Sequence, residues 1–155
     1  EGDYSNISRE VFNQSLDIST FSLGNMVKYA KPIMNEGGSI LTLTYVGGVK
    51  VIPNYNLMGI AKAGLEMSVR YLANELGPDN IRINAISAGP MRTLASSAVG
   101  GILDMINHVE KVAPLKRTVT QLEVGNTAAF LCSDLASGIT GQIVYVDAGY
   151  TIMGM

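Results

Sequence analysis

The fold is decided by the stretch Ile81-Arg82-Ile83-Asn84-Ala85-Ile86-Ser87-Ala88-Gly89-Pro90. Its first six residues, 81–86, are mostly apolar and rich in isoleucine, which is typical of a short strand. The next four, 87–90, include a serine, a glycine and a proline, which favour a turn. The stretch therefore predicts a strand that is followed at once by a turn at its carboxyl end.

Two other runs, one on each side of this stretch, have the same character. Residues 39–44 follow the turn-forming pair Gly37-Gly38, and residues 143–146 are Ile-Val-Tyr-Val. Helical segments separate the three predicted strands, so each connection must cross over the sheet. The predicted fold class is therefore α/β, with a parallel sheet and helices on both faces. Three parallel strands leave an uncovered edge, which we expect a further part of the sheet to cover.

The helical segments are predicted from apolar spacing and from end signals. They span about 8–31, 54–76, 94–112 and 120–133. The second should end at Gly77, as a left-handed cap residue, with Pro78 preventing continuation. The fourth should begin with a capping box formed by Thr120 and Glu123. The third is rich in Ala, Ser and Gly, a composition that suits a mobile lid.

The composition argues against several classes of protein. The chain has 155 residues, 47% hydrophobic and 15% charged, which is enough apolar material for one packed domain. The net charge is −2 and the basic residues are dispersed, so we expect no nucleic-acid partner. No apolar run is long enough to span a bilayer, and the first residues lack a signal-peptide pattern, so we expect no membrane association.

The single cysteine and the single histidine indicate neither a disulfide nor a metal site. Cys132 lies in an apolar run, and we expect it to be a small buried residue. A lone cysteine is also compatible with a reducing compartment. His108 is expected on a solvated helix face, with no partner at metal-ligand spacing, so no metal site is predicted.

Tyr55 and Lys62 are seven residues apart in a strongly helical stretch. An α-helix turns about 100° per residue, so both side chains should lie on nearly the same face. A lysine close to a tyrosine favours the phenolate, and the pair would suit proton donation to an oxygen that gains charge. The alternative is a surface lysine and a half-buried tyrosine that merely share a helix.

Three segments should converge at the carboxyl ends of the strands, where ligands bind in open α/β sheets. Thr44 and Tyr45 end the first strand, residues 87–93 end the second, and the helix that carries Tyr55 begins between them. Gly89 would allow a ligand close to the backbone, and Pro90 would fix the turn.

These residues belong to blocks that match a known family. The most specific block is Pro53-Asn54-Tyr55-Asn56-Leu57-Met58-Gly59-Ile60-Ala61-Lys62-Ala63. The others are 41–45, 69–73, 83–94, 125–134 and 141–149. In this order they cover nearly the whole chain, which resembles the carboxyl-terminal part of the short-chain dehydrogenase/reductase superfamily. More narrowly, it resembles the bacterial NADH-dependent enoyl-acyl-carrier-protein reductases of type II fatty-acid synthesis.

The resemblance implies catalytic roles for three residues. Tyr55 would hydrogen-bond the thioester oxygen as hydride reaches the β-carbon, and Tyr45 would be the family's second active-site tyrosine. Lys62 would bind the nicotinamide ribose and hold positive charge near the enolate.

The resemblance also implies binding residues. The other implied cofactor contacts are Thr44, Ala88, Gly89, Pro90, Met91, Arg92, Thr93, Leu94 and Ala95. The implied substrate contacts are Tyr45, Tyr55, Met58, Val99, Ile102 and Met105. For Met58, a core position is an equally good interpretation.

Two positions differ from the ketone-handling members of the superfamily. Ser19 stands where those members have an asparagine, and Tyr45 lies at the strand end where the catalytic serine is expected. Both differences are usual in enoyl reductases, so the resemblance implies reduction of a C=C bond. A 3-oxoacyl reductase is the nearer alternative, and a non-catalytic, self-associating fragment is the other.

For the whole chain, the resemblance implies the carboxyl-terminal portion of one Rossmann-like, doubly wound domain over residues 1–155. The Gly-rich fingerprint of nucleotide-binding domains is missing near the start of the sequence. We therefore expect the amino-terminal nucleotide-binding half to be absent. The resemblance further implies NADH as cofactor, an enoyl thioester on acyl carrier protein as substrate, a homotetramer and a cytoplasmic location.

Overall fold

A computed structural model of the chain describes residues 3–94, 96 and 101–154. Three strands, β1 (Ser39–Thr44), β2 (Arg82–Ala88) and β3 (Ile143–Val146), form a sheet in the order β1-β2-β3. Both pairings are parallel. Thr44 lies opposite Ser87, and Ser87 lies opposite Tyr145, so these three side chains share one face at the carboxyl ends. The predicted parallel α/β sheet is confirmed.

Five α-helices surround this sheet in the described part of the chain. They are α1 (Arg9–Leu16), α2 (Ser22–Ala30), α3 (Asn56–Leu76), α4 (Ile102–Val112) and α5 (Gln121–Cys132). Short 3₁₀ turns occur at Tyr4–Asn6, Lys31–Ile33, Val46–Gly48, Gly77–Asp79, Asp134–Ala136 and Tyr150–Ile152. We call Val46–Gly48, which joins the end of β1 to the loop before α3, the strand-end turn.

The first predicted helix, 8–31, is present but is not regular. Asp17–Phe21 forms a π-helical turn between α1 and α2, which we call the widened turn. Immediately beside α3, the Thr20 hydroxyl donates to the carbonyl of Ala61 at 2.8 Å. The contact is tight, because a Cβ added at Gly64 would lie 3.0 Å from the Thr20 side chain. Such widened turns are seldom visible in sequence, since they keep the local helical composition.

The two faces of the sheet have separate cores, because successive residues of a strand point to opposite sides. On one face, α2 and α3 pack on the sheet around Leu23, Leu65, Val69 and Ile83. On the other face, Leu131 of α5 packs with Ile86, Leu41 and Val144. Helices therefore cover both sides, as the sequence predicted.

Several local predictions differ from the structure. Gly77 is right-handed, with φ −54°, and the left-handed residue is Asn80, with φ 56°, because a 3₁₀ turn lengthens the helix end. β2 extends to Ala88, two residues beyond the predicted strand. Cys132 is exposed, because α5 presents it away from the sheet while Leu131 is buried. Within the described ranges no helix is both long and apolar enough to cross a bilayer.

Candidate active site

The carboxyl end of β1 and the start of α3 form the centre of the candidate site. Thr44 is buried at the end of β1, and Tyr45 and the strand-end turn follow it. α3 begins at Asn56, so Tyr55 is the residue just before the helix rather than inside it. The Tyr55 carbonyl still accepts from the amide of Gly59 at 2.7 Å, which fixes Tyr55 at the helix start.

Tyr45 and Tyr55 pack edge to face, with ring centroids 5.0 Å apart and an angle of 73° between the rings. Burial raises the pKa of Tyr45 to about 12, with smaller contributions from Tyr150 and Tyr55. Burial also raises the pKa of Tyr55. Both phenols are therefore protonated at neutral pH and are able to donate a hydrogen bond. The expected lowering of the Tyr55 pKa by Lys62 is not seen, because burial raises that pKa.

Two glycines leave room for Tyr55 to pack against the backbone, and neither role was predicted from the sequence. A Cβ added at Gly47 would collide with the Tyr55 ring, and one added at Gly59 would lie 2.6 Å from the carbonyl oxygen of Gly47. The first turn of α3 and the strand-end turn therefore approach each other at backbone distance. The available signal was Gly59 itself, an unfavourable residue in the first turns of a strongly predicted helix.

Lys62 reaches the same strand end from the next turns of α3. Its Nζ donates to the carbonyl oxygen of Leu43 at 2.9 Å. Burial lowers the pKa of Lys62, and the negative charge of Glu66 partly opposes that effect. One of three ammonium donors is used at Leu43, so the group keeps the capacity to bind hydroxyls of a ligand.

Glu66 is a further residue of this region that the sequence analysis did not identify. Its side chain is almost fully buried, with 3% of the residue exposed. The Thr44 hydroxyl donates to Glu66 Oε1 at 2.8 Å. A signal was present, because a glutamate that directly follows Leu65 and lies four residues after Lys62 falls on the buried face of the helix.

The predicted substrate contacts are distributed between α3 and α4. The Tyr45 hydroxyl lies 2.9 Å from Sδ of Met105, which brings the start of α4 against the tyrosine pair. Met58 is half-buried, with its Sδ 3.9 Å from the Ser19 hydroxyl of the widened turn. Ile102 is half-buried at the first position of α4. Val99, like Ala95 of the predicted cofactor contacts, lies outside the described residues.

Of the predicted cofactor segment, Ala88 ends β2, and residues 89–94 follow it at the same edge of the sheet. Pro90 is buried, whereas Leu94 is 95% exposed. Gly89 has a structural role besides the predicted close approach of a ligand, which stays a prediction. An added Cβ would lie 3.0 Å from Cα of Asp147, so the glycine makes room for the loop after β3.

The remainder of this segment is held by local hydrogen bonds. The amide of Thr93 donates to the Ser96 hydroxyl at 2.8 Å, and that hydroxyl donates to the carbonyl of Met91 at 2.8 Å. The Arg92 carbonyl accepts from the side chain of Gln121 at 3.0 Å. Residues 91–93 and Ser96 are thus linked to one another and to α5 after the end of β2.

The single histidine lies on the helix that also carries Met105. His108 is exposed on α4, and its ring contacts Tyr150 edge to face at 5.9 Å between centroids. Among residues 3–94, 96 and 101–154, no group of three His, Cys, Asp or Glu is placed to hold a metal ion.

Comparison with known proteins identifies similar sequences along nearly the whole chain. The family model described as enoyl-(acyl carrier protein) reductase matches residues 1–151. The enoyl-(acyl-carrier-protein) reductase (NADH) FabI of Synechocystis sp. is 77% identical over 154 residues, covering 99% of this chain and 60% of the relative. The protein of the same description from Escherichia coli is 52% identical over 156 residues, covering 100% of this chain and 60% of the relative.

Solved structures agree with these relatives. The Bacillus cereus enoyl-acyl carrier protein reductase, solved with NADP⁺ and indole naphthyridinone, superimposes with a TM-score of 0.97 at 54% identity, covering 100% of this chain and 60% of that one. The Aquifex aeolicus enoyl reductase (NADH) gives a TM-score of 0.95 at 49% identity, with coverages of 100% and 61%. The chain thus has the Rossmann-like α/β fold of these structures and spans about 60% of the length of its curated relatives.

Proposed function

Since this chain belongs to the enoyl-(acyl carrier protein) reductase family, we propose that the protein containing it reduces trans-2-enoyl thioesters on acyl carrier protein, with NADH as reductant. NADH would supply the hydride to the β-carbon of the enoyl group. The thioester oxygen then gains negative charge, and the α-carbon takes a proton to give the saturated acyl thioester. This chain would contribute the groups that stabilise the charged oxygen.

The observation that carries the proposal is the pair of half-buried phenols, which pack edge to face just after the end of β1. Tyr55 and Tyr45 have raised pKa values, so both keep their protons and are able to donate to an oxygen that becomes negative. A preorganised donor in a partly buried site stabilises such charge far more than water does. Tyr55 is the proposed principal donor, because its ring packs directly against Gly47, which Gly59 in turn approaches closely. Tyr45 would orient the substrate together with Met105.

Lys62 is the residue best suited to hold the cofactor ribose. It is a half-buried cation that keeps free donors and lies at the strand end beside Thr44. The backbone from 88 to 95 would line the nicotinamide side of the same site. Met58, Ile102, Met105 and Val99 would contact the acyl chain, with α4 as the element that closes over it.

We also infer that the amino-terminal nucleotide-binding half of the domain covers β1. Among the described strands, β1 pairs only with β2, which leaves its other edge open. Beside that edge lies a groove of about 450 Å³ between β1 and α2, lined in part by Met26, Leu41 and Leu43. A neighbouring parallel strand with its helix would fill such a groove.

The homotetramer and the cytoplasmic location remain proposals. Met67 and Tyr71 on α3 and Tyr145 on β3 are exposed, at 50%, 67% and 40%, and an association surface would cover them. The cytoplasmic location rests on the family resemblance.

The test measures NADH oxidation with crotonyl-CoA by a chain extended to the full length of the relatives. Tyr55→Phe should lower kcat by roughly 10²–10³-fold with little change in NADH affinity, because it removes a donor to the charged oxygen. Lys62→Ala should weaken NADH binding. The matched controls are Tyr29→Phe and Lys28→Ala, both on α2.

Two results would contradict the proposal. The first is an extended wild-type chain that reduces acetoacetyl-CoA but not crotonyl-CoA, which would favour the 3-oxoacyl reductase. The second is an equal loss of NADH binding in Tyr55→Phe and Lys62→Ala, which would contradict the division of roles.

A further inference from the structure

Glu66 is a buried carboxylate that the proposed reaction does not use. It is 3% exposed and lies on the side of α3 that faces the sheet. Burying a charged group is costly unless hydrogen bonds or an opposite charge compensate it. Within the described part of the chain, the Thr44 hydroxyl donates to its Oε1 at 2.8 Å. A single neutral donor compensates such a charge only in part.

The charged and titratable groups around Glu66 come from two elements. From its own helix, Lys62 lies one turn before it and Arg70 one turn after it. Tyr145 of β3 is also near. Burial raises the pKa of Tyr145 most, and the negative charge of Glu66 raises it further. Within the described residues, the ion pairs below 4 Å are Lys31–Asp79 and Arg117–Glu123, so Glu66 acts on its neighbours through space.

The other neighbours of Glu66 are uncharged and close. β1 presents the Thr44 hydroxyl, and the strand-end turn presents Gly48, where an added Cβ would lie 3.0 Å from Oε1. The same Cβ would lie 3.1 Å from the amide nitrogen of Ala63. Glu66 therefore lies against Thr44 and Gly48, which flank Tyr45 in the sequence.

Glu66 and Lys62 hold two consecutive residues of β1. Lys62 donates to the carbonyl of Leu43 at 2.9 Å, and Glu66 accepts from the hydroxyl of Thr44 at 2.8 Å. The two side chains are one helical turn apart, which places them on the same face of α3. An ammonium and a carboxylate thus fix the end of β1 from one helix.

We propose that Glu66 is a positioning residue for Lys62: its buried carboxylate supplies the counter-charge that keeps the half-buried ammonium protonated at the end of β1. The inference rests on the proposed function, in which that ammonium binds the cofactor ribose. Burial alone disfavours the charged lysine, and a negative charge one turn away favours it. Loss of the Glu66 charge should therefore let Lys62 lose its proton at a lower pH.

The experiment uses the full-length protein and the variant Glu66→Gln. Glutamine keeps the shape and an amide oxygen that accepts from Thr44, so the substitution removes mainly the charge. Glu75→Gln is the matched control, since Glu75 is exposed on the same helix. NADH affinity is measured by fluorescence between about pH 6 and pH 10, with kcat and KM for crotonyl-CoA reduction alongside. The pH at which NADH affinity falls should be roughly one unit lower in Glu66→Gln than in the wild type. KM for NADH should change more than kcat.

A second measurement needs neither cofactor nor activity. NMR of ¹³C-labelled lysine side chains, with the Lys62 signal assigned from Lys62→Arg, follows the protonation of Lys62 directly. In Glu66→Gln the signal should titrate at a lower pH than in the wild type and in Glu75→Gln. Glu66→Asp keeps the charge and should retain most of the wild-type titration. If Glu66→Gln does not fold, the double variant Thr44→Val/Glu66→Met removes the charge together with its hydroxyl donor, and the same fall in the titration pH is expected.

The outcomes separate this inference from the proposed function. An unchanged Lys62 titration in Glu66→Gln, with or without a lower melting temperature, overturns it and leaves Glu66 as a structural residue. A wild-type protein that does not oxidise NADH with crotonyl-CoA overturns the proposed function. In that case the NMR titration still decides whether the carboxylate holds the ammonium in its charged form.

Discussion

The helices α3 and α5 each bring a threonine, a glutamate and a cation together, but in opposite surroundings. At α5 the three groups are close in sequence and open to solvent. Arg117 donates to both carboxylate oxygens of Glu123, at 2.7 and 2.9 Å, with side-chain exposures of 48% and 37%. Thr120 and Glu123 form the complete capping box that the sequence predicted.

At α3 the corresponding groups come from different elements. Glu66 is buried and meets a threonine that precedes it by twenty-two residues, and α3 begins without a side-chain hydrogen bond from its N-cap Tyr55. The start of α5 is therefore stabilised by its own capping box, whereas the start of α3 lacks one and packs against the strand-end turn. The N-cap position of α3 is occupied by Tyr55, the proposed donor, rather than by a residue that caps well.

The largest expected difference between the two helices is at their glycines. In Gly59→Ala the new Cβ would lie 2.6 Å from the carbonyl oxygen of Gly47, so backbone must move. We expect a loss of about 1–3 kcal/mol in the free energy of unfolding, as for other overpacked sites. Gly125 of α5 has nothing within 4 Å of the added Cβ, so Gly125→Ala should stabilise by about 0.5–1 kcal/mol.

Urea denaturation of the full-length variants measures both effects. The comparison fails if the two substitutions change stability in the same direction. Gly59→Ala should also lower kcat, because the collision displaces the turn on which the Tyr55 ring rests.

The next difference is at the threonines. Thr44→Val leaves the buried Glu66 carboxylate without its hydroxyl donor and should cost about 1–3 kcal/mol. Thr120→Ala removes the side-chain cap of α5 and should cost about 1 kcal/mol. Guanidinium titrations of both variants rank the two losses. A smaller loss for Thr44→Val would show that solvent reaches Glu66 and would remove burial as the distinction.

The smallest expected effect depends on pH. Hydrogen bonds from Arg117 and Thr120 lower the pKa of Glu123 from 4.5 to about 2. Because the charged form favours the folded state, this stabilisation is complete above the unfolded pKa of 4.5 and is lost as the pH falls through about 2. Glu123→Gln should therefore lower the melting temperature slightly at about pH 7, with the difference vanishing toward pH 2. Thermal melts across this range, with Glu110→Gln as the exposed control, check the result.

The parts of the fold that could be predicted from sequence are those whose signals are local. The strands 39–44 and 143–146 match β1 and β3, since short apolar runs bounded by turn residues specify them. The capping box was visible because both its residues lie within four positions. The two tyrosines were predicted from the sequence blocks that match the family. Their edge-to-face packing could not be predicted, because it depends on how the loop between them folds.

The features that could not be predicted depend on distant partners. The hydrogen-bond partner of Glu66 could not be predicted, because Thr44 lies twenty-two residues earlier, on β1. The exposure of Cys132 follows from which side of α5 meets the sheet, and its apolar neighbours do not specify that side. The sequence predicted a ligand close to Gly89, whereas its close approach to Asp147 of the loop after β3 follows only from the fold.

The π-helical geometry at Asp17–Phe21 gives the long amino-terminal helix two angular phases. An extra residue within one turn advances all later side chains by about 100° relative to a regular helix. α1 and α2 both contact α3, so each presents its own inward face although the two faces are out of step. Removing one residue from this stretch would restore uniform winding, but it would rotate α1 about its axis and turn its inward side chains away from α3.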